Sequence, residues 1–309
     1  MILTLTLNPA IDRNFTVDRL VFDDRAYISS ISESAGGRGI NASRVISSFG
    51  GETVAIAMSG GASGARFEKF LATCRFPVEI VPIANEIRTN LTITDQRGLT
   101  VKLNEVGPYI SGPELERLEA VVRAKLPAAE WLMMCGSIPP GVPPSFYSKL
   151  LKMARQEKVK TLLDTDGEAL LEGVQAGPTV VAPSQHESER LLDTALVTRT
   201  HYLEAAAQIR RMGPEAVVLS LGSRGAVGSF EGHTIEAIPP LVDAVCPIGA
   251  GDALAAALVW AMTRGSDFPD ALRWGVAAGT ASARLPGVRF ASLEETREIY
   301  EQVEVGRPQ

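Results

Sequence analysis

PIGAGDALAAALVWAM, residues Pro247 to Met262, sets a single carboxylate, Asp252, between a glycine turn and a long apolar run. The apolar run reads as a buried helix. The Gly249-Ala250-Gly251 turn lets backbone N–H groups converge at the start of that helix, where the macrodipole is positive. Such an end attracts anions, phosphates above all. Asp252 is itself an anion, so the site joins an attractor for negative charge to a proton acceptor. That pairing points to phosphoryl transfer onto a hydroxyl.

Around this stretch, short β-type runs alternate with helical patterns. Strands are expected at Ile2–Leu7, Thr53–Met58, Trp131–Cys135, Thr161–Leu163, Thr179–Ala182 and Ala216–Leu221. Helices are expected at Gly39–Phe49, Ala65–Cys74, Pro113–Ala124, Pro144–Gln156, Tyr202–Arg211, Ala250–Thr263, Pro269–Arg284 and Leu293–Val303. Ser111-Gly-Pro-Glu114 and Ser292-Leu-Glu-Glu295 carry capping boxes. Alternating strands and helices with short connections imply an α/β fold with a mainly parallel sheet covered on both faces. Two stretches break the rhythm. Residues 15–31 and 87–104 read as strands with no helix between them, Gln96-Arg97-Gly98 offering a hairpin turn, and are expected to form a small β lid. There is no internal repeat, low-complexity segment or linker, so residues 1–309 are read as one domain with that lid.

With 309 residues, 45% of them hydrophobic and 21% charged, the chain has ample material for a core. A formal net charge of −6 argues against nucleic acid or an anionic membrane as partner. Any basic patch must be local and built for a small anion. Cys74, Cys135 and Cys246 are odd in number and far apart, which suits reduced core thiols and a cytoplasmic protein. The first residues, MILTLTLNP, lack a basic region and read as a strand rather than a signal peptide. The apolar run Ala253–Met262 is far shorter than the ~20 residues of a membrane span.

Several phosphate chemistries are excluded. No Gly-Lys pair occurs, so there is no P-loop, and the His-Arg-Asp and Asp-Phe-Gly marks of protein kinases are missing. Gly37-Arg38-Gly39-Ile40-Asn41-Ala42 mimics a dinucleotide fingerprint, but the polar SSISES precedes it and the first strand is already used at Ile2–Leu7.

Four segments, TLNPAID (Thr6–Asp12), AGGRGIN (Ala35–Asn41), CGSIPPG (Cys135–Gly141) and PIGAGD (Pro247–Asp252), together resemble the PfkB, or ribokinase-like, carbohydrate kinase family in order and separation. NPAID, Arg88-Thr-Asn90 and the Gly-Gly-Arg-Gly-Ile-Asn loop are similar to its phosphosugar branch. That branch comprises 1-phosphofructokinase, tagatose-6-phosphate kinase and the minor 6-phosphofructokinase. The resemblance implies a three-layer α/β/α sandwich with a β lid, often a homodimer through that lid. It implies ATP and magnesium as cofactors and a ketohexose phosphate as acceptor: fructose 1-phosphate, fructose 6-phosphate or tagatose 6-phosphate.

It also implies residue roles. Asp252 is the base, and Gly249, Ala250 and Gly251 form the anion hole for the transferred phosphoryl. Asp12 and Asn41 hold sugar hydroxyls, while Gly36 and Gly37 allow the backbone close. Arg88, Arg38 and Arg25 are candidates for the sugar phosphate, which guanidinium forks bind bidentately, and Ser137 adds a hydroxyl. Where the family reads Lys-Pro-Asn-x-x-Glu, this chain has Ala182-Pro183-Ser184-Gln185-His186-Glu187. Ser184 and Glu187 remain to organise magnesium indirectly, through water, but the Lys charge near the nucleotide is gone. Ser220, Gly222 and Gly225 resemble the family's turn beside the nucleotide. Two alternatives stay open: a kinase of an unphosphorylated sugar or nucleoside, and a sugar-phosphate sensor that has lost turnover.

Overall fold

Seven parallel strands form the spine of the computed structural model, which describes residues 1–21 and 23–306. Phe22, inside the expected lid segment 15–31, lies outside the described residues. The chain begins β1 (Ile2–Thr6), β2 (Ala10–Val17), β3 (Ile28–Gly36), α1 (Arg38–Ser48), β4 (Thr53–Ser59), α2 (Gly61–Leu71), β5 (Val78–Pro82), β6 (Arg88–Asp95) and β7 (Thr100–Asn104). It continues through α3 (Gly112–Lys125), β8 (Trp131–Cys135), α4 (Phe146–Gln156), β9 (Lys160–Asp164), α5 (Gly167–Gln175), β10 (Val180–Val181), α6 (Gln185–Leu192), α7 (Arg199–Arg211) and β11 (Ala216–Ser220). The last elements are β12 (Ala226–Phe230), β13 (His233–Ile238), α8 (Ala250–Thr263), α9 (Phe268–Ala283), α10 (Leu293–Tyr300) and β14 (Glu304–Gly306).

The main sheet has the order β14-β13-β12-β11-β10-β9-β8-β1-β4-β5, parallel from β11 to β5 and antiparallel from β11 to β14. The period-two alternation of its strands builds two cores at once. Leu132 and Met134 of β8 point to one face with Leu3 and Leu5 of β1, under α2 to α5 and α7. Trp131, Met133 and Cys135 point to the other with Ile2, under α1, α8, α9 and α10. After β1 the chain builds outward to β4 and β5, and after β8 it builds the opposite way. The C-terminal ends of β1 and β8 therefore flank a switch point, where open α/β sheets hold their ligands.

The expected elements correspond closely to the observed ones, α8 to the residue, and both capping boxes form. Sequence reading missed β5, α5, α6 and the β12–β14 edge. The segment QHESERLL of α6 is too short for periodicity to register.

The second sheet, ordered β3-β2-β6-β7, starts five residues earlier than expected, because β2 continues directly from the turn after β1. Its register sorts polar from apolar residues row by row. Ser34, Asp12, Asn90 and Asn104 align across the four strands, as do Ser32, Asn14, Thr92 and Lys102. Alternate rows carry Ile31, Phe15, Ile93 and Val101. One face of this sheet is thus polar and bears Asp12. The other is apolar, with Ile31 and Leu103 exposed at 55% and 52%.

Helix α9 lies close against α8 because Gly275 and Gly279, one turn apart, face it. A Cβ at Gly279 would come within 2.9 Å of the Ala250 carbonyl oxygen, at the N-terminus of α8. Gly279→Val is expected to cost about 1–3 kcal/mol by overpacking, lowering the thermal midpoint by several degrees in a melting experiment. An unchanged midpoint would show that the two helices separate freely.

Candidate active site

The site is assembled at the C-terminal edge of the main sheet, beneath the polar face of the small one. Gly249 caps α8 in the left-handed region (φ 83°), and a Cβ there would lie 3.0 Å from the Phe290 ring. The turn so formed starts α8 two residues before Asp252. A Cβ at Gly251 would meet no protein atom, so glycine there keeps space open rather than relieving a contact.

Asp252 Oδ2 accepts a hydrogen bond from Asn41 Nδ2 at 2.8 Å. The carboxyl is half-buried and lines a polar cavity. Loss of hydration there, with the Asp164 charge nearby, pushes its pKa up to about 7 against the opposing pull of Arg38 and Asn41. A carboxylate poised near neutrality is matched to taking a proton from an alcohol.

Two connected cavities meet at Ser220, Gly251 and Leu254. One, of about 250 Å³, is walled by Pro239, Leu241, Val242 and Val276, with Gly222 and Gly225 at its rim. Its apolar walls suit a flat heterocycle. The other, of about 340 Å³, is polar and holds Asp252, Asp164, Glu187, Ser184, Ala182, Arg38 and Lys102.

On the lid side, Asp12 Oδ1 accepts from Asn90 Nδ2 at 2.9 Å. Burial raises the Asp12 pKa, opposed by Asn90 and the Arg88 charge. Gly36 faces this carboxylate so closely that a Cβ would lie 2.2 Å from Oδ2. Gly37 caps α1, which carries Arg38 and Asn41. Asn8 donates to the Val106 carbonyl at 2.9 Å and to Ser137 Oγ at 3.3 Å, joining the loop after β7 to the loop after β8. The Oδ1 atoms of Asn8, Asn41 and Asn90 are buried without a partner. Three unpaired amide acceptors in one site call for a ligand rich in hydroxyl donors.

The arginines divide. Arg88 donates to the Glu105 carbonyl at 3.0 Å and the Asn8 carbonyl at 3.1 Å, its Nε has no partner, and it forms no ion pair among the described residues. Burial lowers its pKa, so an incoming anion would relieve a desolvated charge. Arg38, expected at the sugar phosphate, is committed elsewhere: Nη1 meets Asp164 at 2.6 Å and Nη2 meets Glu187 at 3.1 Å. Asp166 lies 3.6 Å away, and the Asp164 charge above all holds the guanidinium firmly protonated. Arg25 is exposed in the loop between β2 and β3 and lines neither cavity. Ser184 and Glu187 form a capping box at the start of α6: Ser184 N donates to Glu187 Oε2 at 2.7 Å, and Glu187 N donates to Ser184 Oγ at 3.3 Å.

Sequence reading missed Asn8, Asn90, Lys102, Asp164 and Asp166. Asp164-Thr-Asp166-Gly167 follows the expected strand Thr161–Leu163, so acids at a strand's carboxyl end were a usable signal. Lys102 carried none.

Residues 5–296 match the family described as pfkB family carbohydrate kinase. The chain belongs to that family. Tagatose-6-phosphate kinase of Staphylococcus epidermidis is 29% identical over 308 residues, 99% of each chain. ATP-dependent 6-phosphofructokinase isozyme 2 of Escherichia coli is 30% identical, covering 97% of each. Among solved structures, Escherichia coli phosphofructokinase-2 in complex with substrates and products superposes with a TM-score of 0.89 at 30% identity, over 97% of this chain and 98% of that one. A possible 1-phosphofructokinase of Thermotoga maritima gives 0.91 at 25% identity, over 100% and 99%.

Asp252→Asn is expected to reduce turnover at least about 100-fold. In the unmutated enzyme kcat/KM should fall tenfold per pH unit below about pH 7, as Asp252 takes up its proton. Because folding raises this pKa from 3.8, ionisation of Asp252 costs stability as the pH climbs from near 4 to about 7. Asp252→Asn should therefore melt higher than the parent at pH 8, the gap closing towards pH 4. A flat pH profile through 7 would remove Asp252 from the base role.

Proposed function

We propose that this protein transfers the γ-phosphoryl group of ATP to a hydroxyl of a ketohexose monophosphate, giving a bisphosphate. The observation that carries the reading is Arg88: a partly desolvated guanidinium without a carboxylate partner among the described residues, on the same face as Asp12 and Asn90, whose amide oxygen is unpaired. A phosphate on Arg88 leaves the sugar hydroxyls to Asp12, Asn41 and Asn8, with the far hydroxyl presented to Asp252. Asp252 takes the hydroxyl proton, and the N–H groups at the start of α8, with Gly249, Ala250 and Gly251, receive the charge developing on the phosphoryl oxygens. An unphosphorylated sugar or nucleoside would leave the Arg88 charge without an anion.

The adenine ring of ATP fits the apolar cavity beside Gly222 and Gly225. Magnesium fits as an ion carried by the nucleotide, which keeps most of its waters and neutralises the phosphates. Both Glu187 oxygens are already engaged, by Arg38 and by the Ser184 amide, so Glu187 and Ser184 act on that ion through water. Among the described residues no helix is long and apolar enough to cross a membrane, and Cys74, Cys135 and Cys246 are free thiols, in keeping with a cytoplasmic enzyme.

ADP release should be followed with fructose 1-phosphate, fructose 6-phosphate, tagatose 6-phosphate, fructose and ribose as acceptors. Turnover is expected with phosphosugars alone, and Arg88→Ala should raise the KM of the sugar by about tenfold or more while that of ATP moves little. Turnover of fructose or ribose unaffected by Arg88→Ala would favour the unphosphorylated acceptor instead.

The apolar outer face of the small sheet is the surface we assign to a second copy of the chain. It exposes Ile28, Ile31, Leu99 and Leu103 together, with Tyr27 at 67%. Ile31→Glu combined with Leu103→Glu should convert a dimer to a monomer by light scattering after size exclusion. A variant that remains dimeric would place the interface elsewhere.

A further inference from the structure

Lys102 was invisible in the sequence, yet it is placed where the proposed reaction needs a cation. Its register partner in β6 is Thr92, and the same polar face carries Asn90 and Asp12. The alternation that points Val101 and Leu103 outward turns Lys102, exposed on this edge strand, to the face over the site. There it lines the cavity that also holds Asp252, Gly251, Ser184 and Ala182, and its charge also reaches Asp12.

That cavity is poor in available positive charge. Asp164, Glu187 and Asp252 contribute three carboxyl groups, and an ATP polyphosphate would add more negative charge. Two cations line the cavity. The Arg38 guanidinium is taken up by Asp164, Glu187 and Asp166. Lys102 has no ion pair or hydrogen bond among the described residues. Position 182, also lining the cavity, contributes only a methyl group.

The geometry points to Lys102 as the residue that binds the terminal phosphates of the nucleotide, reaching them from the lid strand β7. The inference deepens the kinase reading and rests on it. One sheet then touches both substrates: Asp12 and Asn90 meet the sugar, and Lys102 meets the polyphosphate. Nucleotide binding would draw β7 down over the sugar, and a lid that closes with both substrates present excludes water from the phosphoryl.

The test uses the enzyme with Lys102→Ala and with Lys102→Ala/Ala182→Lys, which returns an ammonium to the same cavity. Binding of β,γ-imido ATP with magnesium, measured by calorimetry without sugar, should weaken about tenfold in Lys102→Ala and recover to within about threefold in the double variant. In turnover assays the KM for ATP should follow, while the KM for the sugar phosphate changes less than about twofold. Unchanged imido-ATP affinity in Lys102→Ala would overturn the assignment. So would a sugar KM that rises as much as that of ATP with no recovery from Ala182→Lys. The binding arm needs no turnover. Failure of every phosphosugar in the acceptor panel would therefore sink the substrate reading while leaving Lys102 to be judged by its own result.

Discussion

The ion-pair node centred on Arg38 ties together parts of the chain that are far apart in sequence. Its guanidinium leaves the first turn of α1 and meets Asp164 at the end of β9 and Glu187 in the first turn of α6. Both carboxylates lie at the carboxyl edge of the sheet, where helix N-termini and loop amides create a field meant for phosphate. Without Arg38 those acids would oppose a nucleotide and each other. Half-buried charges of this kind persist only when paired and hydrogen-bonded, and here each carboxylate has a guanidinium and Glu187 a backbone amide as well. The node therefore holds α1, β9 and α6 in mutual register, and with them Asn41 and Ser184.

Asp252 depends on this arrangement. Its raised pKa comes first from lost hydration, then from Asp164, and Arg38 keeps the shift from going further. A pKa of about 7 is thus set in part from β9 and α1, neither of which is adjacent to α8 in sequence. Pairing Arg38 with carboxylates also leaves Arg88 as a half-buried guanidinium with no ion pair among the described residues. Two arginines that look alike as residue types thus separate into a structural cation and an available one, according to what the fold places beside them.

The small sheet works by a simpler rule. Period-two alternation in β2, β6 and β7 gives a polar face over the site and a largely apolar face to the outside, on which Arg13 pairs with Glu33. Asp12, Asn90 and Lys102 share the first; Ile93, Val101 and Leu103 share the second. A single-residue slip in register would exchange them, turning Asp12 and Asn90 away from the candidate site and the hydrophobic residues towards it.

Much of this was legible in the linear chain. The apolar run after Asp252 marked α8 to its ends, because a helix buried on all sides needs no amphipathic pattern to be seen. The alternating strands, the two capping boxes and the Gly-Ala-Gly turn signalled a covered parallel sheet with a phosphate-binding helix end. The four family segments brought Asp12, Asn41, Ser137 and Asp252 into one reading. Other features were decided only by tertiary structure. The sequence offered both Arg38 and Arg88 for the sugar phosphate; what separates them in the fold is that Asp164 and Glu187 reach Arg38 across more than 120 residues of chain. Ser184 and Glu187 turned out to cap α6 as well as to face the cavity. Lys102 stood in an unremarkable strand until pairing with β6 turned its side chain to the face over the site. Local propensity and periodicity determine elements and faces, because those depend on neighbours a few residues away. Charge pairing, desolvation and the choice of which cation remains free depend on long-range approach, and only the folded chain sets those distances.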